Sequence, residues 1–436
     1  MDLQKYKGAK ENINVKKLGR VTQVVGLTIE SIGPDVSVGT LCHIMKNIRS
    51  NDYVSAEVVG FRGSNILLMP LGVIEGIGPG SVVEAQQNPL TVKVGMQLLG
   101  RVLDGLGEPM DGLGPLKFDN EYSVSNAAPS PMSRNRIKDI LPLGVKVIDG
   151  LLTLAKGQRV GIFAGSGVGK STLMGMIARN TKVDINVIAL IGERGREVRE
   201  FIEKDLGEEG LKRSVLVIAT SDQPALVRLK AAEVATSIAE YFREQGGDVL
   251  LFMDSLTRYS MAQREVGLAI GEPPVSRGYT PSVFAALPRL LERAGNSDKG
   301  SISALYTVLV DGDDLTEPVT DTARGILDGH IVLSRNIANK NQYPAIDVLA
   351  SVSRVMSEVV TPEQKKYASE IRKNMAAYKE AEDLITVGAY ASGSNPDIDR
   401  AIALNKDIYN FLVQGTSENI EFSKTLSIMR DIASKS

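Results

Sequence analysis

Cysteine is nearly absent from this chain of 436 residues, and Cys42 stands alone. An intrachain disulfide is excluded, which suits a reducing compartment such as the cytoplasm. Cys42 lies in an apolar run and reads as a small hydrophobe buried in a strand. Histidine is as scarce: His43 and His330 are the only two. Each sits in an apolar run, so structural roles rather than a metal site are expected. Net charge is lacking too. Fifty Lys and Arg against 52 Asp and Glu leave −2, without the electrostatic footprint of a nucleic-acid binder. No aromatic-and-basic stripe of the kind single-strand binders use accompanies it. No apolar run approaches the ~18–20 residues needed to span a bilayer. The start, Met1 to Asn14, is polar and mixed in charge and does not read as a secretory leader.

What is present is ordinary globular composition in a chain too long for one core, so two or three domains are expected. Residues 1–16 read as a polar tail. From 17 to 94 the texture is β: Arg20–Ile29, Val54–Phe61, Asn65–Pro70 and Ser81–Ala85 alternate with glycine turns. Short strands at regular spacing suggest a small barrel or sandwich. Gly100 to Gly114 is too glycine-rich for a helix and reads as a turn-laden connector. Near Ile140 the texture changes. Apolar runs of strand length at Val160–Phe163, Asn186–Ile191, Val215–Ala219, Val249–Met253, Ser303–Val310 and His330–Leu333 alternate with helical patterns. Between two of them, Val227, Ala231, Val234, Ile238 and Tyr241 mark one face of a helix. This alternation argues for an α/β domain with a mainly parallel sheet, whose ligands bind at the carboxyl ends of the strands. It would occupy 95–360 together with the connector. From 361 to 436 the pattern is helical, opening on Thr361-Pro-Glu-Gln364, a capping-box signature. Asn395-Pro396 starts a second helix.

The chain turns on Arg159-Val-Gly-Ile-Phe-Ala-Gly-Ser-Gly-Val-Gly-Lys-Ser-Thr172. An apolar strand, a glycine turn, Lys-Ser-Thr and a helix-like run, in that order, are the context of a phosphate-binding loop. Gly165, Ser166, Gly167, Val168 and Gly169 would wrap phosphate oxygens with main-chain N–H groups. The helix start adds free donors and a positive dipole end. Lys170 would reach the β- and γ-phosphates, Ser171 would hold Mg²⁺, and Thr172 completes the motif. Ala164 replaces the first glycine of the strict pattern.

Four further positions could carry chemistry. Val249 to Asp254 is an apolar strand ending in a carboxylate, as a Mg²⁺-binding aspartate would. Glu193 follows another strand, where a carboxylate could polarise the attacking water. A solvated helix start is its alternative, and composition does not separate the two. Arg354, in a small-residue setting, needs an anionic partner: either a salt bridge or the γ-phosphate of a neighbouring subunit, as an arginine finger. Tyr343, beside Pro344, could stack on adenine or serve the core.

Taken together, Gly-Ser-Gly-Val-Gly-Lys-Ser-Thr, Gly-Glu-Arg-Gly-Arg-Glu-Val and Tyr-Pro-Ala-Ile-Asp, in this order, resemble the catalytic subunits of rotary ATPases and their secretion relatives. Ala219-Thr-Ser-Asp-Gln-Pro-Ala225, Asp254-Ser-Leu-Thr-Arg-Tyr259 and Gly271-Glu-Pro-Pro-Val-Ser-Arg-Gly-Tyr279 are similar to the type III secretion ATPases. Asp383 to Pro396 resembles the flagellar branch. The resemblance implies an N-terminal β-barrel, a central RecA-like phosphate-loop ATPase core and a C-terminal helical domain. It implies ATP and Mg²⁺, and a homohexamer with sites between subunits. It also implies export regulator or stator proteins, a central stalk, the membrane export gate and chaperone–substrate complexes as partners, at the cytoplasmic face of the membrane. Glu193 falls on the catalytic glutamate, Asp254 on the Mg²⁺-linked aspartate, Arg354 on the finger and Tyr343 on the adenine-facing tyrosine. Arg194 and Arg258 match basic residues near the phosphates. No C-terminal aromatic matches the one that closes the adenine pocket. Relatives often carry a longer helical extension before the barrel than residues 1–16 would provide. A virulence-system ATPase, a rotary synthase subunit, an RNA-translocating hexamer and a nucleotide-binding subunit without hydrolysis are the alternatives; Glu193 argues against the last.

Overall fold

The computed structural model describes residues 17–46, 52–310 and 314–435; the expected polar tail lies outside them. Six strands, β1 (Leu18–Val25), β2 (Thr28–Ile32), β3 (Leu41–Met45), β4 (Tyr53–Arg62), β5 (Asn65–Pro70) and β6 (Val82–Ala85), close into an antiparallel barrel in the order β1-β2-β5-β4-β3-β6. Alternation builds it: Val54, Ala56 and Val58 of β4 are buried, and Ala56 and Val58 pack against Val21, Ile29, Ile44 and Leu68. Cys42 is fully buried in β3. The run Arg20–Ile29, expected as one strand, is divided. Val25 pairs with Thr28 across a two-residue turn, so the chain folds back as a hairpin.

The connector holds more structure than its glycines suggest. β7 (Thr91–Val94) pairs with β9 (Asn120–Ser123), and β8 (Val102–Asp104) lies on the edge of the central sheet, parallel to Leu216–Ile218. Arg101 clamps the following turn by donating from Nε and Nη2 to the two carboxylate oxygens of Asp111 at 2.7 and 2.9 Å.

The central sheet is completed by β10 (Arg159–Ala164), β11 (Ile185–Ile191), β12 (Ser214–Ala219), β13 (Asp248–Asp254), β14 (Gly295–Asn296), β15 (Ser301–Leu309), β16 (Gly329–Leu333) and β17 (Ile346–Ser353). Their order is β17-β16-β10-β15-β13-β11-β12-β8, with β14 paired to β15. All neighbours run parallel except β17 against β16 and β14 against β15. Helices cover both faces, so whole strands are apolar. In β11, Val187, Ala189 and Ile191 enter one core while Ile188 and Leu190 enter the other.

The helix Ala225–Glu244 is buried on more than the expected face, because it lies between the sheet and the N-terminal part. Lys230, nearly buried, meets Glu57 of the barrel at 2.9 Å. The C-terminal domain comprises the helices Pro362–Thr386, Pro396–Leu412 and Phe422–Ala433. Thr361 caps the first through its hydroxyl, but the expected capping box is only half made. Gln364 turns inward and donates to the Thr153 hydroxyl at 2.9 Å.

Candidate active site

The strands β10, β13 and β11 deliver their carboxyl ends to one crevice, with β15 between the first two. After β10 the chain turns through Gly165–Gly169 into the helix Lys170–Asn180. Gly167 and Gly169 have φ of 78° and 89°, conformations that side chains resist. Val168, between them, is buried in the core and pins the loop from below. Ser166 and Ser171 face outward.

Lys170, at the helix start, reaches across β15. Its ammonium donates to Asp254 Oδ1 at 2.5 Å and lies 3.8 Å from Glu193 Oε1. Asp254, at the end of β13, also accepts from the Thr307 hydroxyl of β15 at 2.7 Å. Two side chains therefore fix one buried carboxylate. Among the described residues the Glu193 carboxylate has the longer contact to Lys170 and no hydrogen bond. Burial, and then the negative charge of Asp254, push its carboxyl up to about 7, against the pull of Lys170 and Arg258. A carboxylate that holds a proton near neutrality suits exchange with water.

Arg258 lies over this pair. It belongs to the helix Leu256–Ile270, capped by the Ser255 hydroxyl. A Cβ on Gly192 would stand 2.9 Å from the Arg258 Cβ, so glycine before Glu193 lets the guanidinium stem pass. The Arg258 Nε is buried with no acceptor among the described residues. An orphaned guanidinium N–H in a crevice with a lysine fits a phosphate oxygen. The donors Ser171 and Asp254 are hard oxygens, the set Mg²⁺ takes.

The other expected residues are placed less uniformly. Tyr343 is near the loop: a Cβ on Gly169 would lie 3.5 Å from its Cδ1, and the ring is part-exposed. Thr172 is turned aside, its hydroxyl bonded to the Asp205 carboxylate that follows the Glu193 segment. Arg194 does not enter the crevice. At the cap of the helix Gly195–Glu200 its backbone is extended, and its side chain turns out to Glu197 at 3.3 Å. Arg354 lies at the opposite end of the sheet. Ser353 pairs with Gly329, where β16 begins, whereas the loop follows the end of β10 beside Leu333. Four residues of strand separate those levels, about 13 Å at ~3.3 Å per residue. Arg354 was expected either to make a salt bridge or to serve a neighbouring subunit's γ-phosphate. Its Nη2 donates to the Arg324 carbonyl at 3.1 Å, and the salt bridge is not found among the described residues.

Two positions that support the site residues were not anticipated. Thr307 carried a signal, since a hydroxyl in a fully buried strand must find an acceptor. Gln414 carried none. It ties the helical domain to Tyr343, donating its main-chain N–H to the Tyr343 carbonyl at 3.0 Å.

A glycine loop on a parallel sheet, facing carboxylates from neighbouring strand ends, defines a RecA-like phosphate-loop ATPase, here joined to a β-barrel and a helical domain. Comparison with known proteins gives the family. Residues 144–353 match the nucleotide-binding domain of the ATP synthase alpha/beta family, 21–86 its beta-barrel domain, and 360–431 the C-terminal domain of the type III secretion ATPase EscN. The chain is 57% identical to the flagellum-specific ATP synthase of Bacillus subtilis over 96% of its own length and 95% of that protein's. It is 52% identical to a type 3 secretion system ATPase of Xanthomonas euvesicatoria, over 96% and 94% of the two lengths. The assembled ATPase EscN of enteropathogenic E. coli superposes with a TM-score of 0.90 at 46% identity, over 95% of this chain and all of that one. This chain belongs to the family of flagellar and type III secretion ATPases.

Proposed function

We propose that this protein hydrolyses ATP to ADP and phosphate and so energises protein export by a flagellar type III secretion apparatus. The observation that carries the reaction is the Lys170 ammonium held between Asp254 and Glu193 at the carboxyl ends of the sheet. The flagellar assignment rests on the relatives, among which the 57% identical Bacillus subtilis protein is flagellum-specific.

In this reading, main-chain N–H groups of Gly165 to Thr172 cradle the phosphates and Lys170 neutralises them. Glu193 orients and polarises the attacking water and takes its proton. The Arg258 Nε serves a phosphate oxygen, and Tyr343 faces the adenine. Arg194 reaches the phosphates only by leaving Glu197. Ser171 and Asp254 would hold Mg²⁺, which when bound neutralises charge on the β- and γ-phosphates. Catalysis is then mostly positioning and charge stabilisation. Arg354 completes the site of a neighbouring copy in a homohexamer. A central stalk is a partner by analogy with EscN, solved in complex with its stalk EscO. Regulator or stator proteins, the export gate and chaperone–substrate complexes are the remaining partners, at the cytoplasmic face of the membrane. Among the described residues no helix is long and apolar enough to cross a bilayer.

The test is Lys170→Ala in the purified full chain. ATP turnover should vanish while circular dichroism and the unfolding midpoint stay near wild type. Near-normal turnover would overturn the assignment. Capture from cells should bring down flagellar export proteins; recovery of synthase subunits would point to the rotary reading.

A further inference from the structure

Gln414 follows the helix Pro396–Leu412 and is nearly fully buried, with its side-chain amide oxygen and nitrogen and its main-chain N–H all engaged. Its Oε1 accepts from the Lys146 main-chain N–H at 2.8 Å. Its Nε2 donates to the Gly144 carbonyl at 2.8 Å and to the Glu418 carbonyl at 3.0 Å. Its own N–H donates to the carbonyl of Tyr343 at 3.0 Å. Lys146 answers from the core side, donating from Nζ to the Asn410 carbonyl at 3.1 Å. One side chain thus locks the turn after the second C-terminal helix onto the first residues of the ATPase core. The main chain of the same residue holds the tyrosine whose ring lies against Gly169.

We infer that Gln414 is a positioning residue for the nucleotide base: the C-terminal domain sets the Tyr343 wall of the site through it. The inference rests on the reading of Tyr343 as base-facing. The physical argument is local. A part-exposed ring on a loop keeps its place only while its main chain is fixed, and here the bond at Tyr343 itself comes from the helical domain. A buried amide with three satisfied bonds is rigid, and truncating it leaves main-chain groups unpaired and the turn loose. Among the described residues the phosphate loop has no bond to Gln414; the far end of its helix does meet the same turn, Arg179 donating to the Thr416 carbonyl at 2.7 Å and Asn180 to the Glu418 carbonyl at 3.2 Å, so a probe that carries phosphates without a base is needed to separate the two effects.

Binding of ATP and of inorganic tripolyphosphate to the full chain, read by calorimetry, separates these contributions. Gln414→Ala removes the three side-chain bonds that hold the turn and keeps the main-chain N–H; with the Tyr343 wall loosened it should weaken ATP by about 5- to 20-fold, a cost of the order of one or two hydrogen bonds, and leave tripolyphosphate unchanged. KM for ATP should rise by a similar factor with kcat little altered. Tyr343→Ala should show the same selective loss. Gln364→Ala is the control. Gln364 is a buried glutamine that also holds the short core helix, through the Asp149 carbonyl at 3.2 Å and the Thr153 hydroxyl, without touching Tyr343. It should lower the unfolding midpoint and leave the ratio of the two affinities alone. If the alanine variant does not fold, Gln414→Glu keeps the acceptor for Lys146, loses both donated bonds, and reads the same ratio. Selective loss with Tyr343→Ala but not with the Gln414 variant overturns the inference, as does equal weakening of both probes. Unchanged ATP binding in Tyr343→Ala overturns the reading of Tyr343 itself, and the inference with it.

Discussion

Glu193 and Asp254 flank one lysine and are held unequally. Asp254 takes the 2.5 Å bond from Lys170 and a hydroxyl from Thr307, so its position is fixed. Glu193 has the looser 3.8 Å contact and a carboxyl raised by burial. The two carboxylates divide the work: Asp254 is held in place by two donors, and Glu193, with the looser hold, is free to exchange a proton. Glu193→Gln keeps the size and removes the base. Hydrolysis should fall by roughly 10²–10⁴-fold while ATP binding persists. Single-turnover hydrolysis beside equilibrium binding checks this, and a matching loss of binding would mark Glu193 as structural.

The short helix Lys146–Leu151 is buried along its whole length, between the core and the C-terminal domain. Asp149 within it accepts main-chain N–H bonds from Leu143 and Gly144 at 2.8 and 2.9 Å. Burial nonetheless pushes its carboxyl up to about 7, against the pull of those bonds. An aspartyl that loses its proton near ~4 when unfolded therefore binds more protons folded than unfolded over the interval between. Its contribution to stability is full below that lower value and is lost as pH rises through about 7. Urea unfolding of wild type and Asp149→Asn from pH 4 to 8 should show the wild type losing stability relative to the variant across that window; parallel profiles would refute it. Other elements show what the sequence alone conveys. β10 to β13 are apolar along both faces, and their runs mark them within a residue or two. β17 breaks its alternation with Asp347, Ser351 and Ser353 and bulges between Asp347 and Val352, opposite His330 and Val332 of β16, so no strand was legible there. β8 is three residues inside a glycine-rich stretch. The phosphate loop was legible because its parts are contiguous. Thr307 and Gln414 were not, since their partners lie 53 residues away for Asp254 and 268 for Lys146. Arg354 was legible as a residue but not as a place, because only the antiparallel pairing of β17 carries it to the far end of the sheet.

That pairing decides how the whole molecule can work. Tyr343, before β17, is beside its own loop; Arg354, after it, is at the opposite level of the sheet, exposed and outside any ion pair among the described residues. A guanidinium there does not serve the chain's own phosphates, and the reading as a finger requires a second copy to present it. Specific ATPase rate should then rise with protein concentration as subunits assemble. Arg354→Ala should bind nucleotide nearly normally through its own Lys170 loop and lose turnover, by up to about 10³–10⁵-fold where a finger is fully used. Mixing two inactive proteins, Lys170→Ala and Arg354→Ala, gives the decisive measurement. In a mixed ring some interfaces join an intact loop to an intact finger, so activity should partly return and should track the fraction of mixed interfaces. A finger acting within its own chain predicts no recovery, since each chain would hold one broken half of its only site. Mixed rings shown by mass to form, yet without turnover, would refute the shared site.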